Sequence, residues 1–219
     1  MPCPTLRALS AVPVATLTLL ALALGPAAGP ETRGVHAQAP AKSSTLTSEL
    51  EKVRAALDKY RDPMVAVHDG YFSSVGCIEY AASHAAGAGH AHGEQVPHRP
   101  GGMGIHFLNM SLIGPKLDPL RPQVLIYEPR GDKLELIAAE WFVPLATGVT
   151  ERPTLFGQPF DGPMEGHAPV MPASLHHYDL HVWLWKPNPA GLFMSTNPNV
   201  KCPAKAYTFR EQAPLLVQD

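Results

Sequence analysis

The hydrophobic pattern of the chain begins with a helical period after residue 45. Apolar residues recur there at every third or fourth position, which gives a helix one apolar face. They are Leu46, Leu50, Val53, Leu57 and Tyr60. Ser48 and Glu51 form a capping-box pattern near the predicted start of this helix. Asp62 and Pro63 end it and begin a second, shorter helix that stops at Gly70. Both helices are predicted to serve packing rather than chemistry.

From residue 104 onward the pattern alternates in twos, which indicates strands. The predicted strands are 104–109, 123–128, 133–143 and 177–185, with shorter ones around Leu192 and Tyr207. Residues 129–132 form a hairpin turn between the second and third strands. Helices followed by strands indicate an α+β fold, in which N-terminal helices pack on a mostly antiparallel curled sheet or a small barrel. The segment 144–176 is rich in Pro and Gly and has no clear element, and loops of that length are often functional.

The first 39 residues have the parts of a secretory signal peptide. Arg7 is the only early charge, the stretch 8–24 is uncharged and apolar, and Ala37-Gln38-Ala39 is a small-residue cleavage pattern. A retained membrane anchor is the alternative, but the apolar stretch contains Pro13 and is shorter than the roughly 20 residues that a span needs. Export to the periplasm or the extracellular space is therefore predicted, with no membrane span left after cleavage.

The mature chain is predicted to form one domain. Residues 1–39 are the signal peptide, 40–45 a short polar linker, and 46–219 a single globular domain with length enough for a core. Within the domain, 84–102 is a His/Gly-rich loop without apolar periodicity. Its histidines are His84, His90, His92 and His98. The loop either captures Cu or Zn through neutral imidazoles or binds metal only adventitiously, and the second interpretation is favoured.

Two cysteines remain once the signal peptide is removed. Cys77 and Cys202 are an even pair in an oxidising compartment, which predicts one disulfide between the start and the end of the domain. A reactive thiol or a metal ligand is the alternative. Lys201 and Pro203 beside Cys202 form no CxxC or nucleophile motif, so the disulfide is preferred.

The charge and the histidine content of the chain limit the classes of partner that it is expected to bind. Without Arg7, Arg33 and Glu31 the chain has 15 basic and 18 acidic residues, and no basic stripe. Nucleic acid is therefore not an expected partner. Of 11 histidines, only His36 leaves with the signal peptide, so the mature chain is histidine-rich. This composition points to metal or proton chemistry, with a small molecule or a metal ion as the partner, and indicates no oligomeric state.

The predicted hairpin assigns side chains to the two faces of the sheet. With a four-residue turn at 129–132, Glu140 lies on an apolar face and Glu128 lies on a mixed face, where it is predicted to be solvated. The apolar neighbours of Glu140 on its face are Leu125, Tyr127, Leu134, Leu136, Ala138 and Phe142. An isolated buried charge is very costly, so a carboxylate there needs a metal or a histidine as its partner.

In the predicted strand 177–185, the side chains that could bind a metal or a ligand lie on one face only. The period of two places Tyr178, Leu180, Val182 and Leu184 on one side. The other side holds His177, Asp179, His181, Trp183 and Trp185. His106 lies in another predicted strand, and Gly101, Gly102 and Gly104 would leave room beside it.

These faces predict a metal site built from His106, Glu140 and His181, with His177 as a fourth ligand. Two histidines and a carboxylate with open positions suit Fe(II) and, with water, Zn; Cu is also compatible with imidazole ligands. Asp179 would orient an imidazole from outside the ligand set. The alternative is a metal-free network in which buried histidines satisfy Glu140 by hydrogen bonds. The spacing matches no known ligand signature, so the prediction rests on strand faces.

Three functions remain open at this stage. The preferred one is an exported protein that binds a divalent metal in a sheet-lined pocket, as a binding protein or a mononuclear metalloenzyme. The second is a carrier for a small apolar ligand with Trp183 and Trp185 as the pocket wall. The third is an envelope structural or interaction protein with a metal-free His/Glu network. The sequence contains no G-x-S-x-G, no P-loop and no G-x-G-x-x-G after a strand, and it does not decide whether the protein is an enzyme.

Five segments together resemble a known family. They are Asp69-Gly70-Tyr71, Met103-Gly104-Ile105-His106-Phe107, Leu125-Ile126-Tyr127-Glu128-Pro129, Ala139-Glu140-Trp141-Phe142-Val143-Pro144 and His181-Val182-Trp183-Leu184-Trp185-Lys186-Pro187-Asn188-Pro189. The chain resembles, over roughly residues 60–203, a family of exported bacterial proteins without an established activity. The resemblance implies export and one domain, and it transfers no catalytic residue or cofactor.

Overall fold

The helices come first in the chain and the strands follow, in a computed structural model that describes residues 41–73, 76–80, 99–167, 171–203, 208–210 and 214–217. Helix α1 spans Ala41–Leu57 and continues as a 3-10 turn at Asp58–Arg61. Helix α2 spans Pro63–His68, and the Asp62 side chain caps it by accepting a hydrogen bond from the Met64 N–H at 2.9 Å. The strands are β1 (Phe72–Ser73), β2 (Cys77–Tyr80), β3 (Gly101–Leu108), β4 (Val124–Arg130), β5 (Lys133–Pro144), β6 (Thr154–Leu155), β7 (Gln158–Pro159), β8 (Asp161–Met164), β9 (His177–Val182) and β10 (Thr208–Arg210).

Several sequence predictions lie outside the described residues. The chain divides into two units, Met1–Gln38 and Ala39–Asp219, and every described residue belongs to the second. The signal peptide predicted at 1–39 therefore lies outside the described part. The same holds for most of the His/Gly-rich loop, including His84, His90, His92 and His98. Among the described residues, no helix has the length and the apolar character needed to cross a membrane.

One large sheet forms the body of the described fold. Its strand order is β10-β2-β3-β4-β5-β9-β8, with β1 added beside β3, while β6 and β7 form a separate two-stranded sheet. All pairings are antiparallel except that of β10 with β2. The predicted α+β class with a mostly antiparallel sheet is confirmed. The barrel alternative is wrong, because β8 and β10 are the two edges of this sheet and do not pair with each other. Pro163 lies in β8, where the missing N–H suits an edge strand.

The helices cover one face of the sheet. Val53 and Leu57 of α1 pack with Leu125, Tyr127 and Trp141 in the larger hydrophobic core. Tyr127 donates a hydrogen bond to the Tyr60 carbonyl at 2.7 Å and ties β4 to the helical segment. The opposite face carries a smaller core of Val124, Ile126, Ala138, Phe142 and Trp183, among others. That second face, away from the helices, is where the polar groups of β3, β5 and β9 lie.

Two predicted elements differ from the structure. Helix α1 begins at Ala41, inside the stretch 40–45 predicted as a linker, because no Pro or Gly interrupts the chain between Pro40 and Pro63. The short strand predicted around Leu192 is instead a turn. It follows an Asx turn in which the Asn188 side chain accepts from the Ala190 N–H at 3.0 Å. The strand predicted near Tyr207 is found as β10.

The predicted disulfide is present. Cys77 and Cys202 are bonded, with their Cα atoms 5.5 Å apart and 125 residues between them in sequence. Cys77 is the first residue of β2 and lies opposite Thr208 of β10 in the parallel pair. The bond therefore joins the C-terminal segment to the part of the sheet that follows the helices.

Glu128 is buried rather than solvated, which corrects the prediction for this residue. It is 1% exposed. Its Oε2 accepts from Lys186 Nζ at 2.8 Å and from Arg130 Nε at 3.0 Å, and its Oε1 accepts from the Lys201 N–H at 2.9 Å. The Lys186 ammonium and the Lys201 backbone N–H, both from the segments after β9, reach this end of β4 and help to satisfy the carboxylate, which the strand pattern of β4 alone does not indicate.

We expect Glu128→Ala to lower the free energy of unfolding by about 3 kcal/mol, because it leaves the Lys186 side chain, which is only 14% exposed, without its counter-ion. Denaturant unfolding monitored by circular dichroism would measure the change. Glu135→Ala is the matched control, since Glu135 also contacts Arg130, at 3.2 Å, but is exposed. That surface pair should contribute less than about 1 kcal/mol. Equal losses in the two variants would contradict the assigned role of Glu128.

Candidate metal centre

The site lies on the face of the sheet that the helices leave uncovered. Side chains alternate between faces along a strand. His106 of β3 lies opposite Ile126 of β4, and Glu140 of β5 lies between Val124 on one side and His181 of β9 on the other. Pairing in register places residues on the same face, so β3, β5 and β9 present one imidazole, one carboxylate and a second imidazole on the same side of the sheet.

The three predicted ligands converge. Glu140 Oε2 lies 3.3 Å from His106 Nε2 and 3.6 Å from His181 Nε2. The side chains are 13%, 7% and 1% exposed for His106, Glu140 and His181, so water has little access to the group. Zinc holds nitrogen and oxygen ligands at about 2.0–2.2 Å, which places two ligand atoms of a tetrahedral ion roughly 3.4 Å apart. The observed separations match that spacing.

Hydrogen bonding within the described residues does not account for Glu140 Oε2 or for the ring of His181. Glu140 Oε2 and both ring nitrogens of His181 are buried and have no hydrogen-bond partner among the described residues. His181 lies between two carboxylates, because its Nδ1 is 3.8 Å from Asp179 Oδ1 while its Nε2 faces Glu140. A neutral imidazole has one N–H and one lone pair, so it can donate to only one of the two acids. A cation at the other nitrogen, or a second proton, would satisfy both.

A β-bulge decides which face Glu140 occupies. The hairpin turn is shorter than predicted, since Arg130 pairs with Lys133, and the register of β4 and β5 then shifts between Ile126 and Tyr127. The shift moves Glu140 away from the face of Leu125, where the sequence prediction placed it. It joins the second face instead, on which both histidines lie. The predicted convergence is therefore found, although of the predicted face neighbours of Glu140 only Ala138 and Phe142 share its face.

The glycines beside His106 have a different role from the predicted one. A Cβ on Gly104 would lie 2.7 Å from the Tyr127 carbonyl oxygen, and one on Gly102 would lie 2.6 Å from a Val200 methyl. These glycines allow β3 to approach its neighbours closely. The space next to His106 comes from the cavity described below and not from missing side chains.

His177 belongs to a second group rather than to the first. The potential ligand atoms of His167, His177 and Asp179 lie within 4.8 Å of one another, as do those of the first group. His177 Nε2 lies 3.7 Å from Asp179 Oδ2. In β9, His177 lies opposite Pro144 and His181 lies opposite Glu140, so the two imidazoles of this strand are four residues apart along the same face. His177 is thus not a fourth ligand of the first group.

The electrostatics of the second group favour a proton or a cation between its members. Burial raises the pKa of Asp179, but contact with His177 and the nearby His181 and His167 outweigh burial and hold that pKa below its ordinary value of 3.8. Burial lowers the pKa of His177, but contact with Asp179 outweighs it and leaves the pKa above 6.5. In the metal-free protein this pair stabilises the fold most fully between pH of about 4 and 6.5. Its contribution is lost as pH rises through the pKa of His177 or falls through that of Asp179.

A third carboxyl group lies close by. Asp161 of β8 pairs with Asp179 of β9. Burial and the charge of Asp179 raise the pKa of Asp161 to about 6, although Arg152 opposes the shift. Negative charge is therefore concentrated around Asp179, which favours a cation in its neighbourhood.

An apolar cavity of about 340 Å³ opens above the first group. His106, Glu140 and His181 line it together with His167 and Asp179 of the second group. The apolar lining residues include Ile78, Met103, Leu108, Met110, Ile113, Val124, Phe142, Met171 and Leu175. Small-molecule sites have this size and this character, with a few convergent polar groups in an apolar wall.

The two tryptophans predicted as a pocket wall are not among the residues that line this cavity. Trp183 is 3% exposed, lies in the smaller core, and donates its ring N–H to the Met194 carbonyl. Trp185 packs against the larger core on the helix side. Strand β9 ends at Val182, so the alternation that placed both rings beside His181 does not continue as far as Trp185.

His167 is a site residue that the sequence analysis missed. It lies in the segment 144–176, for which no element was predicted, although the length of that segment was itself a functional signal. Its Nδ1 is 3.2 Å from the Tyr80 hydroxyl, and its ring centroid lies 5.1 Å from that of His177. Tertiary packing of this loop onto β9 brings His167 to the group.

Comparison with protein families, curated proteins and solved structures finds no match for this chain, so the assignment of function rests on the geometry of the site itself.

Proposed function

We propose that this chain is an exported protein that binds a divalent transition metal ion between His106, Glu140 and His181, at the floor of an apolar cavity. The observation that carries the proposal is the position of Glu140 Oε2. It lies at ligand-to-ligand distance from two imidazole nitrogens, 3.3 and 3.6 Å, and makes no hydrogen bond within the described part of the chain. The signal-like N-terminus and the disulfide support export.

The donor set indicates which ions fit. Two imidazoles and one carboxylate leave coordination positions open, which suits Zn and Fe(II), and imidazoles also bind Cu. Asp179 supports the assignment, because ligating histidines commonly direct their second ring nitrogen at a carboxylate and Asp179 Oδ1 is 3.8 Å from His181 Nδ1. An ion with open positions acts as a Lewis acid or activates water. The apolar wall selects a small, largely apolar molecule as the second partner.

The test is metal analysis of the mature protein, exported with its own N-terminus and purified without chelator. The loop histidines at 84, 90, 92 and 98 are replaced by asparagine in every sample to remove adventitious binding. We expect a transition metal in stoichiometric amount, and its loss from this site in His106→Ala and in His181→Ala. His68→Ala is the matched control, because His68 is exposed at the end of α2 and lies in neither group.

Each outcome has a distinct meaning. Loss of one ion per chain in both site variants, with the control unchanged, would support the metal centre. A wild-type protein that is empty and does not take up added Zn, Fe(II) or Cu would reject it. The buried histidines would then form a proton-sharing network with Glu140, and the cavity would remain as the site of a carrier for a small apolar ligand.

A further inference from the structure

We infer that the chain binds a second divalent cation, between His167, His177 and Asp179. This group shares no ligand with the one formed by His106, Glu140 and His181, so the inference does not depend on the proposed function. All three residues are almost completely buried, at 3%, 0% and 3% exposure. Two imidazoles and one carboxylate are a donor set for Zn, Fe(II) or Cu rather than for Ca or Mg, which prefer oxygen ligands.

The hydrogen-bond partner of His177 indicates which ring nitrogen carries the hydrogen, and the lone pair of the other nitrogen faces Asp179. His177 Nδ1 lies 3.0 Å from the Leu175 carbonyl oxygen, which can only accept, so Nδ1 carries the hydrogen. In the neutral ring Nε2 then has a lone pair, and it faces Asp179 Oδ2 at 3.7 Å. Nε2 is buried and makes no hydrogen bond to any described residue. Two buried electron-pair donors that face each other need a proton or a cation between them, and the ring of His167 supplies the third donor that a metal ion requires.

The surroundings hold both imidazoles in place, as they do in metal sites. A backbone carbonyl that binds the second ring nitrogen of a histidine is a common partner of ligating histidines, and Leu175 supplies it for His177. The Tyr80 hydroxyl contacts Nδ1 of His167 at 3.2 Å and fixes that ring. Phe142 packs against His177 in a tilted arrangement, with ring centroids 4.8 Å apart. The rings are thus oriented before any ion arrives.

Asp179 connects the two groups. Its Oδ2 faces His177 of the second group, and its Oδ1 faces Nδ1 of His181, a ligand of the first. A cation on Oδ2 withdraws charge from the carboxylate that would orient His181. We therefore expect each ion to weaken the binding of the other, and by thermodynamic linkage the factor must be the same in both directions.

The experiment is a zinc titration of the chelator-treated mature protein, again without the loop histidines, followed by calorimetry and by metal content after dialysis. We expect two ions per chain in the wild type and one in His177→Gln and in Asp179→Asn. His106→Gln should also retain one ion, and the double variant His106→Gln/His177→Gln should retain none. His176→Gln is the matched control, because His176 is the neighbour of His177 in sequence but belongs to neither group.

Tyr80→Phe tests the second site even if the variants of its buried ligands fail to fold. The substitution removes only the hydroxyl that orients His167, and we expect a 10–100-fold weaker second ion with the first unchanged. A single ion in the wild type that is lost only in the His106 variant would overturn the second site and leave the proposed function intact. A single ion lost in the variants of either group would mean one shared site, which also overturns the inference. A protein that binds no zinc would overturn both.

Discussion

The double variant Cys77→Ser/Cys202→Ser is expected to lose about 5 kcal/mol of its free energy of unfolding. The reason is the length of chain that the bond closes. The two cysteines are 125 residues apart, and the entropy that a cross-link removes from the unfolded chain grows with the logarithm of that length. Guanidinium unfolding with linear extrapolation would measure the loss as a lower midpoint.

Reductant provides the internal control for this prediction. Wild-type protein unfolded in the presence of a thiol should show the stability of the double variant, whereas the double variant should not respond to the thiol. A change of less than about 1 kcal/mol would show that the unfolded chain is already restricted without the bond. The cavity should also respond, because Ile78, next to Cys77 in β2, lines it.

Local patterns in the sequence were sufficient to predict most of the fold. The helical period from Leu46 to Tyr60 and the alternation in the later segments identify α1 and strands β3, β4, β5 and β9. They do not identify β1, β2, β6, β7 and β8, because strands of two to four residues are too short to show a period. Whether the sheet closes into a barrel depends on its edge strands, and one of these is the short β8 that the pattern does not show.

The site was predicted in part, and for reasons that were only half correct. Glu140, His106 and His181 were expected to meet, and they do. The predicted hairpin has no bulge and places Glu140 on the face of Leu125. The shorter turn leaves that assignment unchanged, and the register shift between Ile126 and Tyr127 moves Glu140 to the face of the histidines. A bulge leaves no trace in the hydrophobic pattern when the residues on both sides of it are apolar, as Leu136 and Ala138 are beside the extra residue Ile137 in β5.

The position of His167 could not be predicted from the sequence. Its position depends on how the long segment before β9 folds back over the sheet, and no period within that segment encodes the contact. Because the sequence does not place His167 near the other histidines, it predicts one metal site with four ligands. The structure instead shows two groups of three, with Asp179 between them.

Zinc is expected to raise the free energy of unfolding of the metal-free protein by about 4 kcal/mol for each bound ion, at free zinc a thousand-fold above its Kd. Glu140→Gln should remove the stabilisation that the first ion contributes, because an amide is a weaker ligand and has no charge to offset the cation. The effect should also weaken as the pH is lowered, since protons compete with the metal for the imidazole nitrogens. Thermal unfolding with and without zinc, at several pH values, would measure both trends.

The same variant separates the metal centre from a metal-free network. If a metal belongs at the site, the Glu140 carboxylate of the zinc-free protein is buried without its partner, and Glu140→Gln should leave the zinc-free stability unchanged or raise it. If the histidines instead share protons with Glu140, the substitution should cost stability with or without zinc, and zinc should not stabilise the wild type at the first group. Magnesium serves as the ion control, because it requires oxygen ligands in near-octahedral geometry and should stabilise neither protein. Stabilisation by zinc that survives in Glu140→Gln at full size would place the ion elsewhere and remove Glu140 from the ligand set.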